Sequence, residues 1–214
     1  RGHVLLEGGV GVGKTTLLQI ITKLIGGEYE RVEGTVDMMP NDIIYHASIS
    51  EDGKPNISNG PLLKKGEDLS IFFFNEINRA RPQVHSLLLR VMAEKSISAF
   101  NKEINLPNMV VFADRNQVEK NETFELPAAA RDRFMMEISI QAPKKKELRD
   151  AIIFDTKFQN TAKLIGEMPK PKFDCKELNE VSNAIQDNIQ ASDHIKSYVE
   201  NLWLATENPS KFNI

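Results

Sequence analysis

Near the start of the chain, Gly8-Gly9-Val10-Gly11-Val12-Gly13-Lys14-Thr15 sets glycines, a lysine and a hydroxyl at the spacing of a loop that cradles phosphate. The glycines let backbone N–H groups curl round an anion without Cβ clashes, and the N-terminus of a following helix adds partial positive charge. Lys14 then reaches the β and γ oxygens and the Thr15 hydroxyl ligates magnesium, with Thr16 counted in the same loop. A second set closes the apolar run Phe72-Phe73-Phe74 with Asn75-Glu76. Phosphoryl-transfer ATPases end a buried strand in the acid that holds the metal and in a carboxylate that activates water. Glu76 suits the second role. Asn75 is the anomaly for the first: an amide oxygen accepts from a metal-bound water but brings no charge to offset the ion. Together the two sets predict a site for ATP with Mg2+, at Gly8 to Thr16 for the nucleotide and at Thr15 and Asn75 for the metal.

The elements that must hold these groups read as alternating strands and helices. A short apolar run, residues 3–7, precedes the loop, and residues 14–25 carry Leu17, Ile21, Leu24 and Ile25 on one helical face. Residues 29–35 read as a second strand, and residues 37–66 as a polar insertion whose hairpin turns at Asp52-Gly53. Residues 71–74 are apolar without alternation, as a parallel strand covered on both faces must be. Residues 81–94 place Val84, Leu87, Leu88 and Val91 on a helical stripe, residues 97–106 suggest a hairpin about Asn101-Lys102, and 109–113 and 136–140 are further strands. After Pro143 the pattern is helical only: 144–157, 177–189 with Asp174 and Glu177 as a capping box, and 193–206 with Ser192 as N-cap. The expectation is an α/β phosphate-loop fold with a five-stranded parallel sheet over residues 1–142, followed by a small all-helical lid over 143–214.

Composition narrows the classes. Lys plus Arg number 27 against 30 Asp plus Glu, so the net charge of -3 offers no footprint for a nucleic-acid backbone, and none is expected as partner. A single cysteine, Cys175, excludes an internal disulfide and fits a reducing compartment, the cytoplasm. No apolar run approaches the roughly 18 residues of a membrane span. His85 falls off the main stripe of its helix, and the four histidines show no i, i+4 pair of the helical zinc kind. The run Lys144-Lys145-Lys146 reads as a solvated helix start, and Arg79 and Arg81 as surface charges or contacts to an adjoining subunit.

Gly2-His3-Val4-Leu5-Leu6-Glu7-Gly8, then Pro40-Asn41-Asp42-Ile43, Asn75-Glu76-Ile77-Asn78-Arg79-Ala80, and Leu126-Pro127 through Asp132-Arg133-Phe134 resemble, in order, successive blocks of the MoxR family of AAA+ ATPases. The resemblance covers nearly the whole chain. It implies ATP hydrolysis by a ring, hexameric by analogy, that acts as a chaperone on a protein client, often beside a partner with a von Willebrand A domain. It makes Asn116 the sensor that orients the attacking water and Arg133 a finger offered to the neighbouring subunit. Relatives carry Asp where this chain has Asn75, which implies either a working ATPase or a catalytically weakened nucleotide-binding scaffold. Around the sensor they carry Ala-Thr-Gln-Asn-Pro, against Ala113-Asp114-Arg115-Asn116-Gln117 here. Two readings stand for Asp114: a carboxylate that returns to the metal the charge Asn75 lacks, or an exposed charge at a loop start. The insertion after Pro40 and the hairpin at Asn101-Lys102 correspond to pore-side inserts. Because the chain starts at Arg1 and stops at Ile214 before the block that carries a second sensor, it is also expected to be a fragment.

Overall fold

The structure, a computed structural model, describes residues 2–50, 52–115, 124–171 and 174–212, with residues 211 and 212 described by backbone alone. In chain order the elements are β1 (His3–Glu7), α1 (Lys14–Ile25), β2 (Glu28–Glu33), α2 (Pro40–Ile44), β3 (Tyr45–Ile49) and β4 (Pro55–Asn59). There follow β5 (Leu69–Asn75), α3 (Pro82–Glu94), β6 (Ser96–Ala99), β7 (Lys102–Asn105), β8 (Val110–Arg115), α4 (Ala128–Arg131) and β9 (Phe134–Ser139). The remaining helices are α5 (Lys146–Phe154), α6 (Thr161–Glu167), α7 (Glu177–Asn188) and α8 (Asp193–Glu207). By compactness the chain divides into Arg1–Glu177 and Leu178–Ile214.

In the first unit five strands form one sheet in the order β2-β5-β8-β1-β9, every neighbour parallel. All seven residues of β5 are buried, because helices cover both of its faces. On one face Phe73 packs with Val4, Leu6 and Leu18 of α1. On the other, Phe72 and Phe74 join Leu5, Ala113 and the α3 stripe Val84, Leu88 and Val91. A phenylalanine buried in this way contributes about 1.5–3 kcal/mol, so the apolar run that ends at Asn75 is fixed in depth and direction. α1 stops where Gly26 turns left-handed at φ 70°. Its Lys23 Nζ donates to the carbonyls of Ile165 (2.5 Å) and Gly166 (2.9 Å), capping the end of α6.

The two predicted hairpins are β3–β4 and β6–β7, both antiparallel. The second turns one residue earlier than its polar pair suggested, at Phe100 and Asn101, both with positive φ (53° and 58°). A two-residue turn needs both residues left-handed, and the Phe100 ring is held 5.3 Å from that of Tyr45. Helix α6 had no counterpart in the sequence reading: seven residues are too few to show a period. The helix after Pro143 starts at Lys146 and ends at Phe154, shorter than its apolar pattern. Asp174 accepts from the backbone N–H of Lys176 (2.9 Å), closing a turn ahead of α7 instead of forming a box with Glu177. In the second unit Ser192 caps α8, accepting from the N–H of Ile195 at 3.4 Å. Among the described residues no helix is long and apolar enough to cross a membrane.

His85, expected off the stripe, is buried, and its Nε2 donates to the Ile77 carbonyl at 2.7 Å. The short 3-10 turn of residues 77–79 folds under α3 and supplies that acceptor. His3 is buried too: Nδ1 accepts from the Val111 N–H (2.9 Å) and Nε2 donates to the Met92 carbonyl (3.1 Å). Burial lowers both histidine pKa values below the ordinary 6.5. Both are therefore neutral in the fold at pH where an unfolded histidine is taking up protons. The unfolded chain binds more protons below about pH 6.5, so stability falls as pH drops from there toward the folded pKa values, by at most about 1.4 kcal/mol per pH unit per histidine. Urea unfolding is expected to show a lower midpoint at pH 5.5 than at pH 7.5, with the drop reduced in His85→Leu; an unchanged or higher midpoint at pH 5.5 contradicts this.

Candidate functional site

Because β5, β8 and β1 are parallel neighbours, their carboxyl ends meet at one edge of the sheet. Phe73 and Phe112 both lie on the α1 face. Two positions further along the same strands come Asn75 and Asp114, which the period of two turns to that face as well. Lys14 opens α1 beside them.

The loop between β1 and α1 takes positive φ at Gly11 (79°) and Gly13 (88°), where other residues are strained. A Cβ at Gly9, Gly11 or Gly13 would meet no atom within 4 Å, so the loop is not packed against the protein at these positions. Val10 to Thr16, with Arg31, Glu33, Asn75, Glu76 and Asp114, line a cleft of about 350 Å³. Lys14 Nζ donates to the carbonyls of Gly8 (2.7 Å) and Gly9 (3.3 Å) and stands 2.5 Å from Asp114 Oδ2. The two side chains are only 10% and 1% exposed, which overturns the reading of Asp114 as a solvent-facing charge at a loop start.

Asp114 Oδ1 accepts from the backbone N–H of Glu76. In the amide orientation that satisfies both its neighbours, Asn75 Nδ2 donates to the same Asp114 oxygen (3.3 Å) and its Oδ1 accepts from an Arg31 guanidinium nitrogen (3.1 Å). Glu76 is left-handed, at φ 53° and ψ 50°. That conformation costs about 1–2 kcal/mol for a residue with a side chain. Three contacts offset it: the N–H to Asp114, the Glu76 carbonyl accepting from the Arg79 N–H (2.9 Å), and the carboxylate Oε2 paired with Arg79 (2.9 Å). Glycine is required at Gly34, because a Cβ there would run into the Glu76 carbonyl. Arg79 thus holds the Glu76 side chain, while Arg81 donates to the Val36 carbonyl at 2.6 Å.

Of the residues singled out from the sequence, Val10 to Thr16, Asn75 and Glu76 line the cleft together, and Gly8 and Gly9 hold Lys14 through their carbonyls. Arg133 is exposed after α4 and does not line the cleft. Asn116 lies outside the described residues. Two contributors escaped the sequence reading, Arg31 and Glu33. Their register opposite Phe73 and Asn75 puts them on the α1 face. The alternation of Glu28–Glu33 carried that signal, but nothing local named β5 as the strand beside it.

Residues 3–136 match the model of the ATPase family associated with various cellular activities. Over all 214 residues the chain is 56% identical to the protein MoxR of Methylorubrum extorquens, covering 62% of that protein. The chain belongs to the MoxR family of AAA+ ATPases. The chaperone MoxR1 of Mycobacterium tuberculosis is 35% identical over 155 residues, 71% of this chain and 40% of that one. A Cytophaga hutchinsonii protein whose crystal structure carries an ATPase assignment superposes with a TM-score of 0.80 at 26% identity, covering 99% of this chain and 62% of that one. This MoxR-family chain thus spans about 62% of the length of the first curated relative it matches.

The Lys14–Asp114 pair generates a stability prediction. Removing one partner leaves a buried charge without its counterpart, a loss of about 1–3 kcal/mol or more. Lys14→Met is expected to lower unfolding free energy by that order, and adding Asp114→Asn to recover much of it. Additive losses in the double variant, measured by denaturant unfolding, contradict the coupling.

Proposed function

We propose that this chain is the nucleotide-binding core of a ring-forming MoxR-type ATPase that binds ATP with Mg2+ and hydrolyses it to remodel a protein client. The observation that carries the proposal is the convergence of a glycine loop, the Lys14 ammonium and the Glu76 carboxylate in one cleft at the carboxyl edge of a parallel sheet. In this reading the N–H groups of residues 9–15 and Lys14 bind the phosphates, and the N-terminus of α1 adds its dipole. The residues fit a magnesium ion shared with phosphate oxygens: the Thr15 hydroxyl and the Asn75 amide stand in the cleft, and among the described residues no cluster of three His, Cys, Asp or Glu side chains would hold a metal alone. Magnesium supplies charge neutralisation across the phosphates when bound.

Glu76 is the group that polarises the attacking water, and Arg79 fixes where its carboxylate points. Asn116 orients the same water. Arg133, exposed and away from the cleft, serves the site of a neighbouring subunit, which makes a homo-oligomer, taken as hexameric, part of the catalytic unit. Residues 1–142 act as the core and 143–214 as the lid. The β3–β4 and β6–β7 hairpins face the client, itself reached alone or with a von Willebrand A domain partner, in the cytoplasm. A second reading, a nucleotide-binding scaffold with weakened catalysis, is favoured by Asn75 in place of an acid and by the engagement of Glu76 with Arg79.

An arginine finger contributes about 10³ to 10⁵ in rate, so a finger acting between subunits gives a distinctive mixing result. Arg133→Ala and Glu76→Gln chains are each expected to be inactive, and a mixture of the two to regain turnover. Full activity of Arg133→Ala alone contradicts the trans role. Absence of turnover in the parent, together with recovery in Asn75→Asp, supports the scaffold reading instead.

A further inference from the structure

The cleft contains one acid whose placement the nucleotide reading leaves unused. Asp114 is 1% exposed, lies 2.5 Å from the Lys14 ammonium, and lines the same space as Thr15 and Asn75. Its Oδ2 has that charge beside it but no hydrogen bond, whereas Oδ1 accepts from the Glu76 N–H. The register explains the placement: Phe74 of β5 pairs with Ala113 of β8, so Asn75 and Asp114 follow side by side on adjacent strands, both on the α1 face. An amide therefore ends β5 and, one strand over, a carboxylate stands at the penultimate position of β8.

We propose that Asp114 is the acid of this site: it supplies from β8 the negative charge toward nucleotide-bound magnesium that Asn75 cannot supply from β5, and it holds Lys14 as counter-ion until phosphate takes the lysine over. The proposal rests on the nucleotide reading above. Three physical points support it. Asn75, neutral, cannot offset a divalent ion, but as a donor to Asp114 Oδ1 it holds the carboxylate in place beside it. The other two acids of the cleft already answer to guanidinium groups, Glu33 to Arg31 at 3.1 Å and Glu76 to Arg79 at 2.9 Å. Asp114 is paired with Lys14, the cleft cation that the nucleotide reading gives to the phosphates, so ligand binding releases the carboxylate at the moment a metal charge arrives beside it.

The consequence separates metal-dependent from metal-independent affinity. With Asp114→Asn, Lys14 loses its competitor, so ATP binding in excess EDTA holds steady or tightens, while the gain from magnesium is lost. The measurement is calorimetric titration of ATP into the chain with magnesium and with EDTA, for the parent, Asp114→Asn, and the exchanged pair Asn75→Asp/Asp114→Asn. A charge-assisted contact is worth about tenfold or more, so the parent is expected to bind at least about tenfold more tightly with magnesium. That ratio should fall toward one in Asp114→Asn and return in the exchanged pair, whose charge count is unchanged and whose fold is checked by its melting curve. The proposal is overturned if Asp114→Asn keeps the parent's ratio, if both affinities fall alike, or if the exchange does not restore the ratio. A parent chain that binds ATP in neither buffer overturns the nucleotide reading itself.

Discussion

A lysine ammonium and an aspartate carboxylate, 2.5 Å apart and almost wholly out of water, set the terms for the edge of the sheet around them. A single charge in that position would be strongly disfavoured, so each must stay where the other is. Keeping Asp114 there requires β8 to lie between β5 and β1, and keeping Lys14 there requires the loop to present the Gly8 and Gly9 carbonyls to it. The left-handed turn at Glu76 follows from the same requirement, since it brings a backbone N–H onto the second carboxylate oxygen. Arg79 then inherits the Glu76 side chain, and Gly34 must be bare to let the turn pass.

This arrangement is rigid in its framework and exchangeable in its charges. The framework is the apolar interior: Phe72, Phe73 and Phe74 anchor β5 from both faces and deliver Asn75 to a fixed point. The charges are paired within the protein, Lys14 with Asp114, Arg31 with Glu33 and Arg79 with Glu76. On the nucleotide reading, binding is then an exchange of partners within a preformed cleft, and affinity reports the difference between two sets of ion pairs.

What the sequence made legible was local. The phosphate loop is contiguous, and its chemistry depends on residues within one turn, so spacing alone located it. β5 was legible because burial on both faces writes an unbroken apolar run. The status of Asp114 was not, because whether a carboxylate at a strand end meets water or a lysine is decided by a neighbour a hundred positions away. Arg31 and Glu33 were hidden for the same reason: β2 pairs with β5, not with the strand before it. His85 left its helix stripe only in projection, since the turn at residues 77–79 extends the core beneath it.

The most direct test of the account is a crystal structure with a non-hydrolysable ATP analogue and Mn2+ in place of Mg2+, read by anomalous scattering. The account predicts the triphosphate within the loop of residues 8–15, Lys14 Nζ on its β and γ oxygens, and a manganese peak between the Thr15 hydroxyl and the ends of β5 and β8. An analogue seated elsewhere, or a metal peak remote from Thr15 and Asp114 while Lys14 keeps its carboxylate, would contradict it.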